Sequence, residues 1–179
     1  HVTIAEEISL LGNDVIVVTS KFSHFEKRNR KFSEYIENGV KYYFLPELGY
    51  QFNRSPSRLL SHLFLSINIF IFLFWLKIFK KISFTAIISS MPLGFLSVLV
   101  GFYSKLFNFK LFIDLQDKWP EIFILLTNRL PFPLNRFLNK VIKFYSITIR
   151  RILILISYGT ISVSEEYFEW YFADVQTYM

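Results

Sequence analysis

The sequence predicts an α/β protein with a doubly wound, Rossmann-like parallel sheet, and three observations support this fold class. Short apolar runs alternate along the chain with longer segments of helical periodicity, which is the order expected of successive β-α-β units. The strand-length runs are apolar at nearly every position, as in parallel strands that are covered on both faces. The 179 residues are 53% hydrophobic, so the chain can bury one full core as a single domain.

The first predicted element is a helix that leads directly into a buried strand. Ile4, Ile8 and Leu11 share one side of this helix, and Gly12-Asn13 is typical of a helix C-terminus. A helix followed by an apolar strand is the second half of a β-α-β unit, so we expect a strand before His1. The predicted strands are Asp14–Thr19, Val40–Leu45, Phe84–Ser89, Lys110–Leu115 and Gly159–Val163. The later predicted helices are Ser57–Lys81, Pro92–Phe107 and Asn135–Ile156.

Composition excludes several classes of protein. The chain has no cysteine, which excludes disulfide scaffolds, thiolate metal sites and cysteine nucleophiles, and a cytoplasmic location is expected. Its 22 phenylalanines and 10 tyrosines are too many for a disordered protein. His24 and His62 stand alone in different segments, so the sequence predicts no metal site and no Ser-His-Asp triad.

Two uncharged stretches leave a membrane protein open as an alternative. Leu59–Leu76 has no charged residue over 18 positions and Ile82–Ser104 has none over 23, so each is long enough to span a bilayer. The alternative function is therefore a small integral membrane protein with two spanning helices and no catalysis. Ser89, Pro92 and Gly94 favour division of the second stretch into strand, turn and helix.

A basic face is predicted on the helix that begins near Asn135. At 3.6 residues per turn, five cations fall within an arc of about 100°. A basic amphipathic helix suits an anionic membrane surface or a phosphate-bearing substrate, and a solvated helix face is the other interpretation. Nucleic acid is not expected as a partner, because the aromatic residues are not interleaved with the cations. The five cations are Arg136, Lys140, Lys143, Arg150 and Arg151.

The segment Asp114-Leu-Gln-Asp-Lys-Trp-Pro-Glu121 has an unusual density of polar residues at a predicted strand end. Asp114 and Asp117 are close enough in sequence to converge on one ligand hydroxyl or to supply a general base. A capping role for Asp117 at the following helix is the other interpretation. Ligands of doubly wound sheets bind beyond the carboxyl ends of the strands, which is where these carboxylates lie.

Five segments, in order, resemble the N-terminal half of family 4 glycosyltransferases of the bacterial capsule and O-antigen type. HVTIAEEISLLGNDVIVVTS resembles the family's first helix-to-strand motif, with Asn13 in place of the usual histidine. Tyr50, Asn53 and Arg58 match a second motif, and IISSMPLGF resembles a third. DLQDKWPE resembles the family's D-I-R-D-L-W-P-E, with Gln116 where arginine is usual, and GTISVSEEYFEWY resembles a fifth motif.

The resemblance implies one half of a two-domain GT-B enzyme that transfers a sugar with retention of configuration in bacterial surface polysaccharide synthesis. Residues 1–179 would be the acceptor-side domain, incomplete at both ends and inactive alone. The nucleotide sugar would bind mainly to the absent C-terminal domain, and the acceptor would be a glycan or a lipid-linked sugar. The resemblance implies no metal and no further cofactor, and a location on the inner face of the plasma membrane.

The resemblance also assigns expected roles to residues at the strand ends. Asp117 and Asp114 are the expected catalytic carboxylates, and we expect Asp117 to be the more important for transfer. Asp114 lies within an apolar register and is expected to be partly enclosed. The expected substrate-binding residues are Ser90, Pro92, Trp119, Glu121, Asn53 and Arg58.

Overall fold

The computed structural model describes residues 2–52, 55–91, 94–118, 124–128 and 130–173. The chain forms a mixed α/β structure that divides into two compact units, His1–Leu76 and Lys77–Met179. Parallel strand pairing occurs in each unit. The predicted α/β class is therefore confirmed, and the two units are described separately below.

The first unit contains a mixed three-stranded sheet. Its elements are α1 (Val2–Leu10), β1 (Val15–Ser20), β2 (Phe22–Ser23), β3 (Arg28–Asn29), β4 (Glu34–Glu37), β5 (Val40–Leu45) and α2 (Pro56–Ile78). The strand order is β1-β5-β4, in which β1 and β5 are parallel and β4 is antiparallel to β5. A separate antiparallel pair joins β2 to β3.

The prediction of an entirely parallel sheet is wrong at β4, which the sequence analysis missed. Asn38 and Gly39 join β4 to β5 with φ angles of 50° and 78°. Two consecutive positive φ angles are typical of a two-residue hairpin turn, and Asn-Gly is the preferred sequence for that turn. Charged Glu34 and Glu37 made the segment look unlike a buried strand.

An aromatic core lies against the sheet of the first unit. Val40, Tyr42 and Phe44 point from β5 into a cluster that also contains Ala5 of α1. The Tyr35 ring lies parallel to Tyr42, with centroids 4.7 Å apart and planes within 7°. Alternate residues of β5 therefore hold α1 and β4 to the same strand.

The second unit contains an entirely parallel three-stranded sheet. Its elements are β6 (Ala86–Ser90), α3 (Gly94–Phe107), β7 (Lys110–Leu115), α4 (Ile124–Thr127), α5 (Leu134–Ile156), β8 (Gly159–Ser162) and α6 (Glu165–Ala173). The strand order is β6-β7-β8, so β7 is central. Leu111, Ile113 and Leu115 of β7 are at most 1% exposed, as expected for a central strand between covered faces. The predicted strand Lys110–Leu115 is thus confirmed at both ends.

A glycine permits close packing of α3 against α5. A Cβ added to Gly101 would lie 2.1 Å from Cδ1 and 2.8 Å from Cγ1 of Ile156. No side chain larger than hydrogen fits there without movement of Ile156. The absence of a side chain at this position therefore sets how closely the two helices approach.

Only one of the two predicted membrane stretches is a long helix. Ser57–Ile78 is the one helix, among the ranges described, with the length and hydropathy to cross a bilayer, and 33% of its most apolar window is buried. The favoured division of Ile82–Ser104 is confirmed for its strand and its helix, because this stretch contains β6 and the start of the 14-residue α3.

Candidate functional site

The carboxyl edge of the second unit's sheet brings together several predicted site residues. Ser90 ends β6 and pairs in register with Asp114 of β7, and Asp114 pairs on its other side with Ile161 of β8. Gln116, Asp117 and Lys118 follow β7 directly. Parallel register therefore places polar groups from neighbouring strands at one edge, where ligands of parallel sheets bind.

Asp114 is buried and hydrogen-bonded at this edge. Its side chain is 4% exposed, and Oδ2 accepts a hydrogen bond from Nε2 of Gln116 at 2.9 Å. A second side-chain hydrogen bond joins it to Ser90. Burial raises the pKa of Asp114, and the bonds from Gln116 and Ser90 act in the opposite direction. The expected enclosure of Asp114 is confirmed.

Asp117 differs from Asp114 in its exposure. It follows the last residue of β7 by two positions, and its side chain is exposed. A carboxylate that faces solvent at this edge can accept a hydrogen bond from an incoming hydroxyl, whereas the Asp114 carboxylate already bonds two side chains. Its catalytic role stays a prediction.

An ion pair connects the end of β7 to α6. Lys118 donates to a carboxylate oxygen of Glu166 in the first turn of α6, and its ammonium lies 5.7 Å from the centroid of Tyr167. Ser164 caps this helix, because its Oγ accepts a hydrogen bond at 3.3 Å from the backbone N–H of Tyr167. The Ser164 cap and the two acidic residues of the first turn both stabilise the N-terminus of α6.

Four predicted substrate residues lie outside the described residues. These are Asn53, Pro92, Trp119 and Glu121. Their expected roles remain predictions.

A second polar cluster lies at the carboxyl ends of β1 and β5 in the first unit. His24 Nδ1 shares a hydrogen bond with the hydroxyl of Tyr50, and the Tyr50 ring contacts His62 with centroids 6.0 Å apart. Arg58 Nε lies 3.5 Å from Nε2 of His62, and its guanidinium lies 5.7 Å from the Tyr50 centroid. The expectation that His24 and His62 stand apart is therefore wrong, since Tyr50 brings them together.

The electrostatics of this cluster keep both imidazoles neutral near pH 7. Burial, followed by the charge of Arg58, lowers the pKa of His62 to about 4. Burial and the charges of Lys27 and Arg58 also lower the pKa of His24. Neutral imidazoles both donate and accept hydrogen bonds, so the cluster can bind hydroxyl groups. Arg58 was found by sequence reasoning, but the histidines were missed because their partner is 26 and 12 residues away.

Side chains of α2 fix the loop that carries Tyr50. Ser61 donates to Oε1 of Glu47 at 2.7 Å and accepts from the backbone N–H of Gly49 at 3.0 Å. Asn68 donates to the carbonyl of Pro46 at 3.0 Å. These bonds tie the chain after β5 to one side of α2, which positions Tyr50 beside Arg58 and His62.

A cavity of about 550 Å³ lies elsewhere on the first unit. Its lining includes Arg30, Tyr35 and Phe44, and no predicted site residue is among those that line it. Among the described residues, no group of three or more His, Asp or Glu side chains is placed to hold a metal ion.

The predicted basic face of α5 is correct at three positions and wrong at one. Arg136, Lys140 and Lys143 are exposed and Arg151 is half-buried, but Arg150 is only 1% exposed. The Arg150 guanidinium donates to the backbone carbonyl of Trp170 and lies 4.7 Å from the centroid of its ring. Arg150 therefore binds α6 inside the second unit and is not available to a membrane surface.

Comparison with known proteins gives no assignment. No protein-family model matches the chain, and no curated protein matches its sequence. The fold and the site geometry described above, together with the motif resemblance, are therefore the basis for a functional proposal.

Proposed function

We propose that this chain is the acceptor-side part of a retaining glycosyltransferase of the GT-B type, with a Rossmann-like, doubly wound sheet. Its donor would be a nucleotide sugar, and its acceptor a glycan or a lipid-linked sugar of bacterial surface polysaccharide. The observation that carries the proposal is the carboxyl edge of the parallel sheet in the second unit, where Ser90 pairs in register with Asp114 and Asp117 follows β7 by two residues. This edge is where the resemblance places the acceptor.

The chemistry of sugar transfer needs an acceptor hydroxyl that is oriented and finally deprotonated. Exposed Asp117 is free of strand pairing and can orient that hydroxyl as a hydrogen-bond acceptor. Asp114, bonded to Ser90 and Gln116, holds the end of β7 in place. In a front-side retaining reaction the leaving phosphate of the donor can take the proton. The role of Asp117 is then to orient the hydroxyl through its charge, because a carboxylate accepts a stronger hydrogen bond than a neutral amide does.

The cluster around Tyr50 supports the same class of ligand. Sugars present several hydroxyl groups, and Tyr50, His24 and His62 are neutral groups that donate and accept hydrogen bonds. Arg58 and Lys27 add positive charge beside the Tyr50 ring. A phosphate-bearing acceptor, such as a lipid-linked sugar, would be attracted to these cations.

Sugar transfer by the protein at its natural length tests the proposal. Radiolabelled nucleotide sugars are supplied one at a time with a bacterial lipid extract, and label that enters the organic phase is counted. We expect incorporation from one donor or a small subset of donors, and no incorporation with heat-denatured protein. Absence of incorporation from every common donor, with both lipid and soluble glycan acceptors, would contradict the proposal.

A further inference from the structure

Helix α5 has an inner face that packs within the second unit. Its buried residues are Ser146, Ile149, Arg150 and Leu153, which recur at helical spacing along one side. Arg150 on this face bonds the carbonyl of Trp170 in α6. The partners of the inner face are thus supplied by the unit itself.

The outward side of α5 carries a row of exposed apolar side chains. Phe137, Phe144 and Leu155 are 63%, 73% and 74% exposed, and Val141 lies exposed between the first two. Their spacings of four, three and eleven residues place all four on one strip of the helix surface. We call these four residues the outer apolar row. Phe137, Val141 and Phe144 cover two turns of this strip and Leu155 lies three turns further on, with half-buried Thr148 and Arg151 between them. Large apolar side chains at this exposure favour a surface that a partner covers.

A row of cations runs beside the outer apolar row. Arg136, Lys140 and Lys143 are exposed, and helical geometry places them within about 100° of the apolar strip. We call these three residues the basic row. The sequence has no Asp or Glu anywhere from residue 122 to residue 164. The exposed charges beside the first turns of the apolar strip are therefore all positive.

We infer that α5 lies in the plane of an anionic lipid bilayer, with the outer apolar row inserted and the basic row at the lipid phosphates. The long stems of lysine and arginine let their charges reach the headgroups while the neighbouring apolar groups enter the acyl region. Each cation near an anionic leaflet adds to binding, and the absence of acidic residues leaves this attraction unopposed. This inference holds independently of the proposed sugar transfer.

A single fluorescent label measures insertion directly, because the chain contains no cysteine. Phe144→Cys places an environment-sensitive fluorophore in the outer apolar row. Phe168→Cys is the matched control, since Phe168 is 46% exposed on α6 and lies beside Glu165 and Glu169 in that acidic helix. Vesicles of phosphatidylcholine mixed with phosphatidylglycerol should shift the emission of the label at position 144 to the blue and leave the label at 168 unchanged. Vesicles of phosphatidylcholine alone should give at most a small shift.

Two double variants separate the contributions of the rows in vesicle co-sedimentation. Phe144→Ser with Leu155→Ser should weaken binding to anionic vesicles by about tenfold or more, and Lys140→Glu with Lys143→Glu should do the same. Only the second effect should disappear at high salt. All four side chains are exposed, so circular dichroism should show an unchanged fold.

Several outcomes would overturn the inference. One is the absence of a shift at 144 with anionic vesicles, and another is an equal shift at 144 and 168, which would show nonspecific adsorption. Equal binding of the wild type and both double variants would also reject it. A blue shift at 144 without lipid, together with a dimer in sedimentation velocity, would assign the outer apolar row to a second copy of the chain instead.

Discussion

Two opposing effects act on the pKa of the Asp114 carboxyl. Burial disfavours its charged form, and hydrogen bonds from Gln116 and Ser90 favour it. The net effect is a pKa raised above the ordinary value of 3.8. The folded protein therefore holds this proton at higher pH than the unfolded chain does.

This raised pKa predicts a particular pH dependence of stability. Between pH 3.8 and the folded pKa, the folded state binds more protons, so the contribution of Asp114 to the unfolding free energy falls as pH rises. Asp114→Asn cannot titrate, so the wild type should lose stability relative to this variant across that window. Urea denaturation of both proteins over a pH series measures the difference, which should change in this direction as pH rises through the window.

Asp14→Asn is the control for the Asp114 experiment. Asp14 is exposed just before β1, so its replacement should leave the unfolding free energy close to that of the wild type. A difference between wild type and Asp114→Asn that stays constant with pH would show that the carboxyl titrates normally.

The environment of a side chain was predicted correctly where its neighbours along the chain determine its burial. Asp114 lies within an apolar strand, and this alone predicted its enclosure. Arg150 was placed wrongly, because the periodicity of α5 gives its face but not the position of α6, whose Trp170 backbone binds it. The His24–Tyr50–His62 cluster was missed for the same reason, since contacts between distant segments leave no local pattern.

At the scale of elements, the α3–α5 contact depends on the missing side chain of Gly101. Two effects compete when alanine is introduced. The added Cβ clashes with Ile156, whereas alanine favours a helix over glycine by about 1 kcal/mol. Which effect wins depends on the space that Ile156 leaves.

A double-mutant cycle should therefore show a change of sign. Gly101→Ala alone should lower the unfolding free energy by about 1–3 kcal/mol, because the clash exceeds the helix preference. In an Ile156→Ala background, the same change should raise it by about 0.5–1 kcal/mol. Urea denaturation of the four proteins measures both steps. The same destabilisation in both backgrounds would mean that Ile156 is not the obstacle.

The elements that sequence predicted well are long or strongly apolar. Val40–Leu45 is correct at both ends, and α5 differs from its prediction by a single residue, because burial and periodicity agree there. The edge strand β4 was not predicted, because three of its four residues are exposed and two are charged. The Asn38-Gly39 turn was the available signal for that hairpin.

At the scale of the whole molecule, the alternative of an integral membrane protein depends on α2. Leu65, Ile69, Leu73 and Leu76 are buried at helical spacing, and Asn68 bonds the carbonyl of Pro46. These contacts hold one side of α2 to the rest of its unit, and 33% of its most apolar window is buried. The length and hydropathy of α2 fit both a core helix and a membrane-spanning helix, so the sequence alone did not distinguish the two.

Alkaline carbonate extraction of membranes tests whether α2 spans the bilayer. We expect the protein at its natural length to leave the membrane at high pH, because high pH releases peripheral proteins and leaves spanning helices in place. A known integral protein and a known peripheral protein of the same cells serve as controls. Retention in the pellet with the integral control would favour α2 as a spanning helix.

The central claim is that the carboxyl edge of the second unit orients a sugar acceptor, and the rate of transfer tests it most directly. Asp117→Asn keeps the size of the side chain and removes its charge, so transfer by the protein at its natural length should fall by about 10²-fold or more. Asp114→Asn should act mainly on the melting temperature, and Asp14→Asn should retain the wild-type rate. Full activity of the Asp117→Asn variant, with loss confined to Asp114→Asn, would contradict the account.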